Sequence, residues 1–182
     1  VVGLALAGIA GVSLPRDTGN QSLEAMERIK SFDFFSQHFL PYIKLEDLFA
    51  SKEWIEDEDK ITYDKKIFDD SKKKWVRNDT PIIPSEQEAY EEYEKILSIS
   101  EDKKTFFVTL SIQHHSPNIA KEWVEIIITN INESMRAENM KLSSKSIDFL
   151  NERSRTTNLK EIRDAISQLL QSQMQNLMLA SA

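Results

Sequence analysis

Cysteine is absent, so disulfides, thiolate zinc sites and a cysteine nucleophile are all excluded. Glycine and proline are scarce, at 4 and 5 residues, which points to long helices and leaves almost nothing from which to build a Gly-rich phosphate loop. A basic excess is missing too. Lys plus Arg number 23 against 30 Asp plus Glu, a net charge of −7, whereas a nucleic-acid binder would normally show a basic footprint. The opening VVGLALAGIAGVSL is apolar over about 14 residues, short of the ~20 a membrane-spanning helix needs. No basic flank precedes it, as a signal peptide would require, and it holds three of the four glycines. Residues 1–19 therefore read as a flexible apolar lead-in.

What is present is enough to fold. With 182 residues, 40% hydrophobic and 29% charged, the chain suits one domain or two small ones. It begins at Val1 without a methionine and stops within an apolar, helix-like run, Leu177 to Ala180, so it is expected to be a piece of a longer protein.

Past Pro15 and Gly19, Asn20 or Ser22 can cap a helix carrying Leu23, Met26 and Ile29. Phe32, Phe34, Phe35 and Phe39 prolong the apolar pattern until Pro41. A short helix is expected over about Lys44 to Lys52, burying Leu45, Leu48 and Phe49. Glu53 to Lys74 has mixed charge with few apolar anchors and reads as a solvated linker or an exposed short helix. Ser85 and Glu88 form a capping box for a helix to Leu97 that places Ala89, Tyr90, Tyr93 and Ile96 on one face. The clearest strand follows, with Phe106, Val108, Leu110 and Ile112 alternating with more polar neighbours to Gln113. Its pairing partner is expected in the 61–77 region, in absent segments or in another chain.

From Pro117, with Ser116 as cap, the sequence is helical almost to its end, with a break at Ser154 to Thr157 and a new cap at Asn158 with Glu161. A helix over 117–153 would be about 55 Å long, whereas a compact chain of this length is about 40 Å across, so the helix is expected to project. Trp123, Val124, Ile126, Ile127, Ile128 and Ile131 surround its first part, as in a helix buried on all sides. Beyond Asn132 the pattern thins to Met135, Leu142 and Phe149 at seven-residue spacing, which suits packing on a partner helix. Leu159, Ile162, Ile166, Leu169, Leu170, Met174 and Leu177 offer that partner face. The fold expected is α+β and predominantly helical: an α/β base over 20–116 and a helical extension over 117–182 whose second helix packs back on the first.

No residue is assigned a catalytic, cofactor-binding or metal role. His114 and His115 are adjacent at a strand end and point to opposite faces, so they do not readily share a metal. The acids Glu53, Glu56, Asp57, Glu58 and Asp59 lack the spacing and the glycine of a calcium loop. Lys72, Lys73, Lys74 and Arg77 could touch phosphate, but Asp69 and Asp70 offset them, which favours a surface turn before a packed Trp75. Asn20, Asn78 and Asn132 open N-glycosylation tripeptides, a short pattern that often matches by chance. No serine lies in a Gly-x-Ser-x-Gly elbow.

The order of these segments carries a resemblance. EQEAYEEYEKILSISEDKKT, then TLSIQHHSP (Thr109 to Pro117), AKEWV, INESMRAE (Ile131 to Glu138), SIDFLNE and the terminal QSQMQNLMLA together resemble the Wzz family of polysaccharide chain-length determinants. YDKKIFDDSKKKWVR (Tyr63 to Arg77) is similar more loosely. The resemblance implies a periplasmic domain of a bacterial inner-membrane protein, anchored by two transmembrane helices that this chain lacks. It further implies a homo-oligomeric ring or bell that, without catalysis or cofactor, sets the length of O-antigen or a related polymer made by a Wzy-type polymerase. The partners expected are therefore other copies of the chain, the polymerase and the growing polysaccharide, and no nucleic acid. A periplasmic helical adaptor or chaperone that binds protein partners is the alternative. Phe106 departs from the family, standing where a glycine is expected, and the first and last strands of the base are not found in this chain.

Overall fold

The computed structural model describes residues 18–181 apart from Phe106 and Asn158. The expected lead-in over 1–19 thus lies almost wholly outside the described residues, as does the expected cap at Asn158. The chain is α+β and predominantly helical, as its sequence indicates. It divides into two compact units, residues 18–131 and 132–181, each described by itself below.

The first unit opens with α1 (Thr18–Ile29), two residues earlier than the Asn20 cap expected from sequence. Ser31 ends it and starts the next element: its Oγ donates to the Arg28 carbonyl at 2.7 Å and accepts from the Phe34 amide at 3.2 Å. The chain continues through α2 (Phe32–Phe34), a wide π turn (Phe35–Phe39) and a tight turn (Leu40–Tyr42) that contains Pro41. Phe35 and Phe39, four residues apart, are both fully buried and both pack on Tyr93, at 5.0 and 4.9 Å. Trp123 closes the cluster, edge-on to Phe39 at 5.6 Å.

After α3 (Leu45–Phe49), the stretch expected to be a linker or short helix forms two β-hairpins instead. In the first, β1 (Ser51–Ile55) pairs antiparallel with β2 (Lys60–Tyr63), setting Trp54 opposite Ile61. In the second, β3 (Phe68–Asp69) pairs with β4 (Lys74–Trp75), setting Phe68 opposite Trp75. Cross-strand aromatic and β-branched pairs supply the stability that a weak apolar period conceals. Each turn carries a residue at positive φ, Asp59 at 46° and Lys73 at 50°.

The capping box of α4 (Glu86–Ile96) forms as read, with both Ser85 and Glu88 engaged. The helix then passes directly into β5 (Leu97–Glu101), which pairs antiparallel with β6 (Val108–Ile112). This corrects the expected source of the partner strand. LSISE alternates, and the strand reading over 106–113 is right in place but has its neighbour immediately upstream. Phe106, its expected first residue, lies outside the described residues.

Helix α5 (Pro117–Thr156) runs unbroken for 40 residues, about 60 Å, with the Ser116 hydroxyl accepting from the Ile119 amide at 3.3 Å. Its first part is buried on one face, through Trp123, Ile127, Asn130 and Ile131, and not all round: Ile128 is 47% exposed. That face meets Phe39 and His114 through Trp123 and the His38 carbonyl through Asn130.

In the second unit, the remainder of α5 pairs with α6 (Lys160–Ser181). Leu150 and Ile166 are buried at equal distance from the turn at 158, and so are Ser143 and Gln173, one heptad further out. That symmetry is the signature of an antiparallel helical hairpin. The seam therefore runs through Ser143 and Leu150, one position round from the expected Met135, Leu142 and Phe149 stripe, which it only flanks.

Candidate functional site

The polar groups of the first unit gather where α3, β2, the end of β6 and the start of α5 meet. Asp47 is a buried acid on α3, and the Tyr63 hydroxyl of β2 donates to its carboxylate at 2.5 Å. Burial, followed by that carboxylate, pushes the Tyr63 phenol well above its ordinary value. His114 points inward. Its Nε2 lies 3.0 Å from the Asp47 main-chain oxygen, its Nδ1 accepts from the Ser116 amide at 3.1 Å, and its ring packs on Trp123 at 4.9 Å. His115 is exposed, with its ring centroid 6.4 Å from that of His114. Both nitrogens of His114 are held by the backbone, which leaves it no lone pair for a ligand. An open groove of about 390 Å³ runs alongside, lined by Asp47, Leu48, Ser51, Ile96, Gln113 and the two histidines.

The other charged groups singled out by sequence are scattered and structurally engaged. The acidic run lies at the β1–β2 turn, where the Asp59 carboxylate accepts from the Trp54 indole at 2.9 Å and from the Asn118 amide at 2.7 Å. Those two donors, Trp54 first, hold Asp59 below the usual carboxylate range. In the basic run, Lys72 and Lys73 pair with Asp69 and Asp70 at 3.5 and 2.5 Å, and Trp75 packs on Phe68 and Phe49 at 5.3 and 6.1 Å. Arg77 is a buried clip: it donates to the carbonyls of Ile82 and Pro81 at 2.9 and 2.8 Å and to the Glu88 carboxylate at 2.7 Å. The Ser85 amide, then Arg77, hold Glu88 below the usual carboxylate range. Asn78 is exposed in the adjoining loop and Asn132 is exposed on α5.

Sequence reading missed the Asp47–Tyr63 pair and the Arg77 clip. Each joins residues at separations that fit neither helical nor strand periodicity, so no local pattern announces them. No cluster of three or more metal-ligating side chains occurs among the described residues.

The second unit offers surface rather than chemistry. Leu142 and Phe149 on α5 are 37% and 39% exposed, while Leu159 and Met174 on α6 are 64% and 55% exposed. Arg153 lies over the Phe149 ring at 5.3 Å. In the first unit Phe34, Phe35, Phe39, Trp123 and Ile127 are buried in the core, while Tyr42, Ile82, Ile83 and Phe107 are exposed. No helix among the described residues is long and apolar enough to cross a membrane. No family model, no curated protein and no solved structure matches this chain.

Proposed function

We propose that this chain is a non-enzymatic regulator of the length of a bacterial surface polysaccharide, O-antigen or a related polymer made by a Wzy-type polymerase. In this reading it is the periplasmic domain of an inner-membrane protein and works as a homo-oligomer, with the polymerase and the growing polymer as its other partners. The observation that carries the reading is α5. A 40-residue helix that starts straight after the TLSIQHHSP strand and pairs with a following helix is the segment order the family resemblance implies. Leu142, Phe149, Leu159 and Met174 leave apolar surface exposed on the helical hairpin that a protein contact there would cover. The decisive experiment compares polymer ladders from a strain lacking the gene and the same strain complemented. A modal length present only on complementation is expected, and an unchanged distribution would end the proposal.

The second reading, a helical adaptor or chaperone for protein partners, draws on the exposed Met174 and Met140. Methionine adapts its shape to varied surfaces, as a promiscuous binder needs. Gene neighbours discriminate between the two, since polymerase and flippase genes beside this one favour the first.

A further inference from the structure

We propose that the groove beside Asp47 is a saccharide-binding subsite, in which the Asp47 carboxylate and the Gln113 side chain take the hydroxyls of one sugar unit. Asp47 is only 6% exposed, yet among the described residues its carboxylate has a single partner, the Tyr63 hydroxyl on Oδ1. No lysine or arginine among them pairs with it. A carboxylate has about four lone-pair positions, and burying it is costly while they stay empty. No buried side-chain oxygen or nitrogen of the described residues lacks a partner, so the unpartnered Oδ2 keeps access to solvent. The groove is the opening that Asp47 lines. The fold thus holds a charged acceptor beside an open groove with nothing of its own to fill it.

The other groups along the groove narrow the ligand class. Gln113 is exposed just past β6, where its main-chain amide donates to the Ile96 carbonyl at 2.9 Å. Its side-chain amide has no partner among the described residues and offers both a donor and an acceptor. The Ser51 hydroxyl gives its proton to the Asp47 main-chain oxygen at 2.6 Å and is left with lone pairs only. Leu48 and Ile96 add aliphatic surface. Neighbouring hydroxyls of a pyranose match this set. One donates to Asp47 Oδ2 in a charge-assisted hydrogen bond, the next accepts from Gln113 Nε2, and the C–H groups of the ring meet Leu48 and Ile96. A metal ion is served poorly, because calcium and magnesium take about six or more oxygens and no cluster of three metal-ligating side chains occurs among the described residues. An ammonium group would fill Oδ2 but leave the Gln113 donor without an acceptor. At about 390 Å³ the groove lies within the usual range of ligand sites, and its open form admits a unit that belongs to a longer chain. The saccharide class rests on the groove. That the chain is the growing polymer rests on the function proposed above.

The test titrates the intact chain with the methyl glycosides of glucose, galactose, mannose and N-acetylglucosamine, each to about 50 mM so that millimolar affinities are reached. Propylammonium chloride and magnesium chloride are titrated in parallel, and amide NMR shifts are the readout. At least one glycoside is expected to give saturable shifts at Leu48, Ser51, Ile96, Gln113 and His115. Its affinity is expected to fall roughly tenfold in Asp47→Asn, where a neutral acceptor replaces a charged one. Gln113→Ala alters an exposed, unpartnered side chain, so it carries the test even if Asp47→Asn fails to fold, and it too should weaken binding severalfold. No saturable shift with any glycoside would overturn the subsite, as would saturation by propylammonium or magnesium alone. Unchanged affinity in Gln113→Ala would overturn it equally. A polymer ladder indifferent to the gene, with glycoside binding intact, would end the function proposed above and leave the subsite standing.

Discussion

Tyr93 shows how much a single side chain carries in this protein. Its ring meets Phe35 and Phe39, and its hydroxyl donates to the Ile29 carbonyl at 3.0 Å, tying α4 to the end of α1. Tyr93→Phe removes only that hydrogen bond and should cost about 1 kcal/mol, while Phe39→Ala empties a fully buried ring site and should cost ~3–5 kcal/mol. Urea unfolding of the two variants checks the ratio. The same phenol sets an alkaline limit. Burial raises Tyr93, and burial with the Asp47 carboxylate raises Tyr63, so both are neutral in the folded state. A raised folded value contributes stability that is complete below the unfolded phenol value of about 10 and is lost as pH climbs beyond it. Urea midpoints should thus hold steady from neutral to about pH 9.5 and fall above it, less steeply in Tyr63→Phe. A midpoint that ignored alkaline pH would refute this account. The apolar members of this core were legible in the sequence, since Phe34, Phe35, Phe39 and Tyr93 keep a helical spacing. The polar ties were not, because Tyr63 meets Asp47 across two elements.

At the level of elements, the long helices announced themselves and the short strands did not. Ser116 with Pro117 marks the start of α5, and Ser85 with Glu88 marks that of α4, because each cap satisfies specific orphan amides within one turn. Ser85→Ala should cost about 1 kcal/mol, readable as a small loss in thermal midpoint. The hairpins at 51–63 and 68–75 escaped because strands of two to five residues, each with at least one charged residue, are stabilised by pairs across the ladder rather than along the chain. Strand β5 escaped for another reason: it follows α4 with no turn residue between them, so Leu97 reads as the last residue of a helical face. In the second unit, placing a charge in the seam gives a sharp test. Leu150→Asp sets a carboxylate opposite the apolar face that holds Ile166. Residues 160–181 should become protease-sensitive while 18–131 stays resistant, as expected of two separate units. Simultaneous loss of both would contradict that division.

For the whole molecule, the question is what the exposed side of the helical hairpin contributes. Fully covering a large apolar side chain is worth ~1.5–3 kcal/mol, and Leu142 and Phe149 are already about two-thirds covered at 37% and 39% exposure. Each therefore has ~1 kcal/mol or less still to give, while Leu159 and Met174, more than half exposed, have more. Summed over these side chains the gross gain is several kcal/mol, of the same order as the ~4–15 kcal/mol that association costs, so a contact made through them alone is weak. In the function proposed above, copies held together in a membrane would need no more than such a weak contact, because anchoring raises the effective concentration at no cost in new contacts. On the function proposed above, a membrane-anchored form should be oligomeric by light scattering in detergent or nanodiscs, and residues 1–182 alone should be monomeric or mixed. Leu142→Lys with Phe149→Lys should shrink the anchored oligomer and shift the modal polymer length, with both units still folded by circular dichroism. A strictly monomeric anchored protein would defeat the assembly proposal. A normal oligomer in the double variant would move the contact off the helical hairpin and onto the first unit.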